Sequence, residues 1–211
     1  MEKLVIDCSG GARKAQLVNM LVELLDEEQR AAFAREFGAL GVPGLAGEFD
    51  GEGRFVVLSD GLTEAEARHE HKHEHRSLED VCVIVASSGA PPSVAADAMG
   101  VYGVLAEAEA KAHGADVAHV HFHEVGNDFA IGNVVAFCML VDALAPGRVE
   151  ATPIATGFGF VDCAHGRLPI PAPATANILE GMPHFAGDVE GELCTPTGAA
   201  LVRHFAEAFV E

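Results

Sequence analysis

The sequence predicts a mixed α/β (α+β) protein: a compact layered sheet-and-helix domain with a central apolar helix. Three observations lead there. Lys3–Cys8 is a short run of branched residues that passes through Gly10-Gly11 into a leucine repeat of helical spacing. Asn127–Leu144 is almost wholly apolar over a length that a helix fills, which makes that helix central. Val149–Pro173 is rich in Gly, Pro, Thr and Ile, the texture of short strands joined by tight loops.

Taken in order, Lys3–Cys8 reads as the first strand, and the glycine pair turns the chain into a helix from about Arg13. Leu17, Leu21, Leu24 and Leu25 mark its buried face. A second helix is expected over Glu27–Phe37, ended by Gly38. Gly41–Gly53 reads as glycine-rich loop and Arg54–Leu58 as a strand. From Asp60 to Arg76 the apolar pattern stops, and residues 60–76 are expected to be a mobile histidine-rich loop. Ser77, with Asp80 three residues on, is an N-cap for a helix through Val85. Pro91-Pro92 opens a longer helix that turns Met99, Tyr102, Leu105 and Ala106 to the core and stops at Gly114. Val117–Val125 reads as extended, Pro173–Leu179 as a short helix, and Thr195-Pro196 as the cap of a last helix running to Phe209. The expectation is one domain over residues 1–211, with a sub-lobe boundary near Pro146; strand order is not legible.

The bulk numbers bound the function. Of 211 residues, 49% are hydrophobic, enough for a packed interior. No apolar run reaches the ~18 residues of a membrane span, and the N-terminus has no signal-peptide pattern, so the expectation is no membrane and a cytoplasmic location. With 32 acidic against 13 basic residues, the formal charge of −19 repels phosphate backbones and attracts divalent cations, which argues against nucleic-acid partners. Five cysteines, dispersed and odd in number, fit reduced thiols. Cys82 and Cys138 lie in apolar helical patterns and read as core residues.

Chemistry concentrates in four places. His69, His71, His73 and His75 alternate through the first tract, so an extended chain lines four imidazoles on one side, and a helix pairs them at i,i+4. Imidazole nitrogen suits zinc, copper, nickel or iron. His119, His121 and His123 alternate with Val120 and Phe122, the pattern of a strand with three imidazoles on one face and two apolar anchors on the other. Glu124, at the end of that strand before Gly126, is placed to swing in as ligand or base. Cys163 and His165 are a third candidate, a thiolate and an imidazole two residues apart. Thr195, Thr197 and Gly198 put hydroxyls and backbone N–H groups at a helix start, suited to a phosphate or to ordinary capping.

Together these stretches resemble the LarC family of nickel-insertion proteins. The resemblance rests on the histidine-rich loop followed by His75-Arg76-Ser77-Leu78-Glu79-Asp80-Val81, on Ala106–Gly114, and on His121-Phe122-His123-Glu124-Val125-Gly126. It continues through Gly157-Phe158-Gly159-Phe160-Val161, Cys163-Ala164-His165-Gly166, Pro169–Thr175, Gly191-Glu192-Leu193 and Thr195–Ala200. It covers about His69 to Ala206, as a divergent member's N-terminal domain.

The resemblance implies a nickel chelatase (cyclometallase) component. Such proteins insert nickel (Ni2+) into a pyridinium bisthiocarboxylate mononucleotide, the precursor of the nickel-pincer cofactor of lactate racemase. They consume CTP, with a divalent metal, through a separate C-terminal domain. The implied partners are therefore a C-terminal LarC-like domain or chain and the nucleotide precursor; a homo-oligomer stays open, since the oligomeric state is not legible in the sequence. On this pattern the first tract gathers nickel, while the second, with Glu124 and Asp128 as catalytic carboxylates, sits nearer the chemistry. Family members open with Asp-Cys-Phe-Ser-Gly-Ile-Ser-Gly-Asp-Met, where this chain has Asp7-Cys8-Ser9-Gly10-Gly11-Ala12. After Gly126, Phe129 and Asn133 stand where the family has carboxylates, with Asp128 adding one nearby. Those changes keep a second reading open, a nickel-buffering or interaction paralogue without catalysis. A third, a zinc hydrolase using His121, His123 and Glu124, lacks a helical H-E-x-x-H or other full ligand set.

Overall fold

The computed structural model describes residues 1–67, 76–163 and 166–210. His69, His71, His73 and His75 of the first tract, and His165, lie outside the described residues. Helices and short strands alternate throughout, the mixed α/β architecture expected. The chain divides into two compact units, Met1–Lys14 with Gly100–Val120 and Ala145–Glu211, and Ala15–Met99 with His121–Leu144. One crossing, between Leu144 and Ala145, falls beside Pro146.

The first unit is organised on a three-stranded parallel sheet. Val149–Ala151 is central, flanked by Leu4–Ile6 and Ala208–Phe209, with Leu4 opposite Val149 and Ala208 opposite Glu150. Glu150 is buried on the central strand and is met by Lys3 Nζ at 2.9 Å and Arg148 Nε at 3.2 Å, which offset the cost of its burial. The short helix Pro173–Leu179 packs on the helix Pro196–Phe205. Tyr102, Leu105 and Ala106 enter the core from the helix Pro92–His113, which stops before Gly114 at φ +63°. The helix expected to reach Phe209 ends at Phe205 instead. Ala206 N–H caps Val202, and Ala208–Phe209 joins the sheet, where ladder hydrogen bonds to Val149–Ala151 outweigh continued helical periodicity.

The second unit packs helices on a three-stranded antiparallel sheet of Leu45–Phe49, Phe55–Ser59 and Leu62–Thr63. Asp128–Leu144 is its central helix, and every residue from Phe129 to Val141 is buried. Gly132 lets this helix lie against the sheet: a Cβ there would meet Val57 Cγ1 at 2.6 Å and Leu45 Cδ1 at 2.8 Å. Phe33, Phe37 and Phe55 form a ring cluster, with Phe33 and Phe55 centroids 4.7 Å apart. Asn19 completes an edge of the sheet, its Nδ2 donating to Phe55 O at 3.1 Å and its Oδ1 accepting from Phe55 N at 2.7 Å. Capping boxes begin Glu27–Gly38 at Asp26 and Leu78–Ser87 at Ser77.

Four local expectations need correction. Gly41–Gly53 is not all loop, because Leu45–Phe49 pairs residue for residue with Phe55–Ser59. Glycine at 47 disguises that strand, and it is needed there: its missing side chain makes room for the rings of Phe55 and Phe37. Leu24 is 49% exposed, since its helix stops at Val22. Gly38 does not end the second helix but is its last residue, and Ala39 is the cap, in right-handed helical conformation. Within residues 60–76, Leu62–Thr63 is a strand and Glu64–Ala67 a helical turn. No helix among the described residues is long and apolar enough to cross a membrane.

Candidate functional site

The loop that carries the second histidine run is built from its flanks. Arg76–Ser77, directly after the first tract, pairs antiparallel with His121–Phe122, Arg76 opposite Phe122 and Ser77 opposite His121. Phe122 is fully buried and anchors this ribbon, while the chain turns through residues 123–127 into the helix starting at Asp128. His121 and Glu124 are exposed and His123 is half-buried above this pinned base.

Charge around the ribbon is well defined. Asp80 Oδ2 accepts from Ser77 Oγ at 2.7 Å and from Ser77 N at 2.8 Å. Those bonds, the hydroxyl's first, hold the Asp80 carboxyl below the ordinary carboxylate range, with smaller contributions from Arg76 and His121. Asp80 is thus a fixed negative charge in the field of the His121 imidazole.

The three-imidazole strand is not what forms. Val117–His119 is a 3-10 turn, N-capped by Asp116, and the strand is only His121–Phe122. Asp116 captures the Ala118 N–H, so local side-chain capping replaces the extended backbone that alternation suggested. His119 belongs to the first unit, and His121 and His123 belong to the second. Among the described residues no three His, Cys, Asp or Glu side chains come together as a ligand set.

The other candidates fall as follows. Asp128 accepts from Arg76 Nη1 at 2.7 Å through Oδ1 and from Ser59 Oγ at 2.9 Å through Oδ2. Cys163 is the last residue of a strand whose partner is Gly166–Pro169, and its thiol donates to Gly166 O at 3.4 Å. Thr195 Oγ1 accepts from Gly198 N at 3.3 Å, and Thr197 and Gly198 are buried, so capping is the arrangement present at that helix start. Phe129 and Asn133 both lie in the buried central helix, where Asn133 Nδ2 donates to Phe129 O at 2.8 Å. Sequence reasoning missed Ser59 and Arg76. Their contacts with Asp128 span 69 and 52 residues, and no local pattern encodes them.

The thiols sort by burial. Cys8, Cys138 and Cys194 are fully buried, and desolvation pushes Cys8 and Cys194 up to about 12. Cys82, expected in the core, is only half-buried, as is Cys163. Iodoacetamide at neutral pH is therefore expected to label Cys82 and Cys163 in the folded protein and the other three only after unfolding. Peptide mass mapping that finds Cys8 or Cys194 modified at native rates would contradict this. A thiol pKa raised on folding stabilises the fold below the unfolded value near ~8.5, and that contribution is lost as pH rises towards the folded value. The urea midpoint should accordingly fall as pH climbs through about 9 to 11, and less so in a Cys8→Ala variant.

Comparison with known proteins identifies the family. The profile of the nickel insertion protein family matches residues 4–211, beyond the His69–Ala206 span of the motif resemblance. The pyridinium-3,5-bisthiocarboxylic acid mononucleotide nickel insertion protein of Desulfitobacterium hafniense is 44% identical over 72% of this chain and 39% of its own length. That of Staphylococcus saprophyticus is 34% identical over 96% of this chain and 51% of its own length. The chain thus spans about half, or less, of the length of these curated relatives. No solved structure matches it. On a match that runs almost from end to end, this chain belongs to the nickel insertion protein family, the LarC family.

Proposed function

We propose that this chain is the nickel-handling part of a cytoplasmic system that inserts nickel into pyridinium-3,5-bisthiocarboxylic acid mononucleotide, serving the nickel-pincer cofactor of lactate racemase. The observation that carries the reading is the family match over residues 4–211, with relatives named for that insertion. Nickel is cargo in this scheme. His69, His71, His73 and His75 collect it with neutral imidazole nitrogens, and His121 and His123, with Glu124, receive it on the loop. His119 and the Cys163–His165 pair are further donors. CTP is handled by a separate domain corresponding to the rest of the relatives' length, and Thr195, Thr197 and Gly198 are candidates for a phosphate contact.

A second reading, nickel buffering without insertion, is favoured by one observation: Phe129 and Asn133 are buried core residues that offer no carboxylate. One assay separates the two. The chain is charged with Ni2+ and incubated with the nucleotide precursor and CTP, with and without the C-terminal half of a relative, and the product is read by mass spectrometry. Nickel incorporation is expected only with the added half, and at least ~10-fold less with His121 and His123 replaced by alanine. No incorporation in either case, with nickel retained on the protein, selects buffering. Transfer by the isolated chain contradicts the need for a partner domain.

A further inference from the structure

We infer that Arg76 is a positioning residue that clamps the loop Phe122–Asp128 shut, and that Asp128 serves this clamp instead of touching substrate. This rests on the reading that the loop receives nickel.

The clamp has two ends. Through its backbone, Arg76 is held opposite Phe122, where the loop begins. Through Nη1 it donates to Gly126 O at 3.0 Å and to Asp128 Oδ1 at 2.7 Å, where the loop ends. One residue therefore ties both ends of a seven-residue segment. Asp128 is tied in turn, because its second oxygen accepts from Ser59 Oγ at 2.9 Å on the neighbouring sheet strand. With both oxygens engaged by protein donors, this carboxylate is spent on holding Arg76. The ionic side chains are 17% and 18% exposed, so water competes little for the pair.

The loop itself is folded tightly enough to need such a tie. A Cβ at Gly126 would lie 2.6 Å from Phe122 Cβ and 3.3 Å from Phe122 O, so the segment doubles back on its own start and admits only glycine there. Asn127 Oδ1 then accepts from Ala130 N at 2.8 Å and starts the helix. His123 and Glu124 ride on the closed part, and His121 sits on the adjoining strand. Holding the loop's two ends fixes the backbone that carries His121, His123 and Glu124, so less backbone freedom is lost when these side chains meet an ion, and the clamp should appear as affinity and geometry at the metal.

The test uses the full-length chain with His69, His71, His73 and His75 replaced by alanine, so that Ni2+ titration reads the loop. Arg76→Gln is expected to weaken Ni2+ binding about 10-fold or more and to shift the d–d absorption of the bound ion, with Arg76→Lys recovering part of both. Asn19→Ala, which removes the bonds to Phe55 at the far end of the Ser59 strand, should lower the melting temperature without moving either readout. A folded Arg76→Gln protein with unchanged affinity and spectrum overturns the clamp, as does Asn19→Ala producing the same loss. Should Arg76→Gln fail to fold, Ser59→Ala loosens Asp128 alone and is expected to weaken binding a few-fold; no change there is equally fatal. If His121→Ala with His123→Ala leaves Ni2+ binding intact, it is the nickel reading of the loop that fails, separately from the clamp.

Discussion

Gly198→Ala is expected to destabilise the first unit by about 3 kcal/mol, although alanine is the better helix former. The added Cβ would lie 1.9 Å from Ala12 O, 2.5 Å from Ala12 C and 3.0 Å from Arg13 N, all backbone atoms that no rotamer change can move. Ala12 cannot retreat cheaply either. It is stapled to the opposite segment by Ala12 N–H to Leu193 O at 2.9 Å and by Thr195 N–H to Ala12 O at 3.1 Å. Relief would break one or both of these bonds, each worth ~1 kcal/mol, whereas helix propensity returns only about 1 kcal/mol. The clash wins. Gly38→Ala is the control, because a Cβ there meets nothing within 4 Å and the position is the last turn of the helix Glu27–Gly38. That change should be neutral or stabilise by up to ~1 kcal/mol. Urea unfolding of the two variants against the parent chain measures the contrast, and a Gly198→Ala midpoint equal to the parent's would falsify the packing argument.

Phe122→Ala is expected to cost about 3–5 kcal/mol. The ring is fully buried at the start of the histidine loop, and Gly126 packs against its Cβ. Truncation leaves a cavity beneath the ribbon that holds His121, and a chain bent tightly around Phe122 has no bulk with which to fill it. Phe122→Leu keeps most of the volume and should cost less than half as much. The consequence for metal follows from the mechanics. In whatever folded fraction remains, His121 and His123 lose a fixed base, so Ni2+ affinity should fall with stability in Phe122→Ala and largely recover in Phe122→Leu. Circular dichroism during urea titration gives the stability, and calorimetry on the folded fraction gives the affinity. Equal midpoints for the alanine and leucine variants would show that the ring is not what anchors the loop.

The elements that could be read without a structure are those with a strong local signal. Ser77 and Asp80 announced a capping box that is present down to both reciprocal hydrogen bonds. The apolar run of Asp128–Leu144 announced a buried helix, and Pro173–Leu179 opens on a proline in its first turn. Two elements were misread because a distant partner supplies the reason. Gly47 belongs to a strand because Val57 pairs with it and because two phenylalanine rings need its vacant face. Ala208–Phe209 leaves the helical pattern because a strand some sixty residues earlier offers hydrogen bonds.

The histidine chemistry divides in the same way. Residue types and spacing alone identified the family and singled out the imidazoles as candidate ligands, because imidazoles at alternate positions are a property of the chain that no folding can remove. What they did not determine is which donors share a base. Alternation suggested that His119, His121 and His123 form one face, but Asp116 caps a turn at His119 and leaves a two-residue strand. Asp128 read as a reactive carboxylate, yet Arg76 and Ser59 engage both its oxygens. The first outcome is a local cap two residues away, while the second depends on contacts 52 and 69 positions apart. A sequence lists donors and acceptors, and only the folded chain decides which donor reaches which acceptor first.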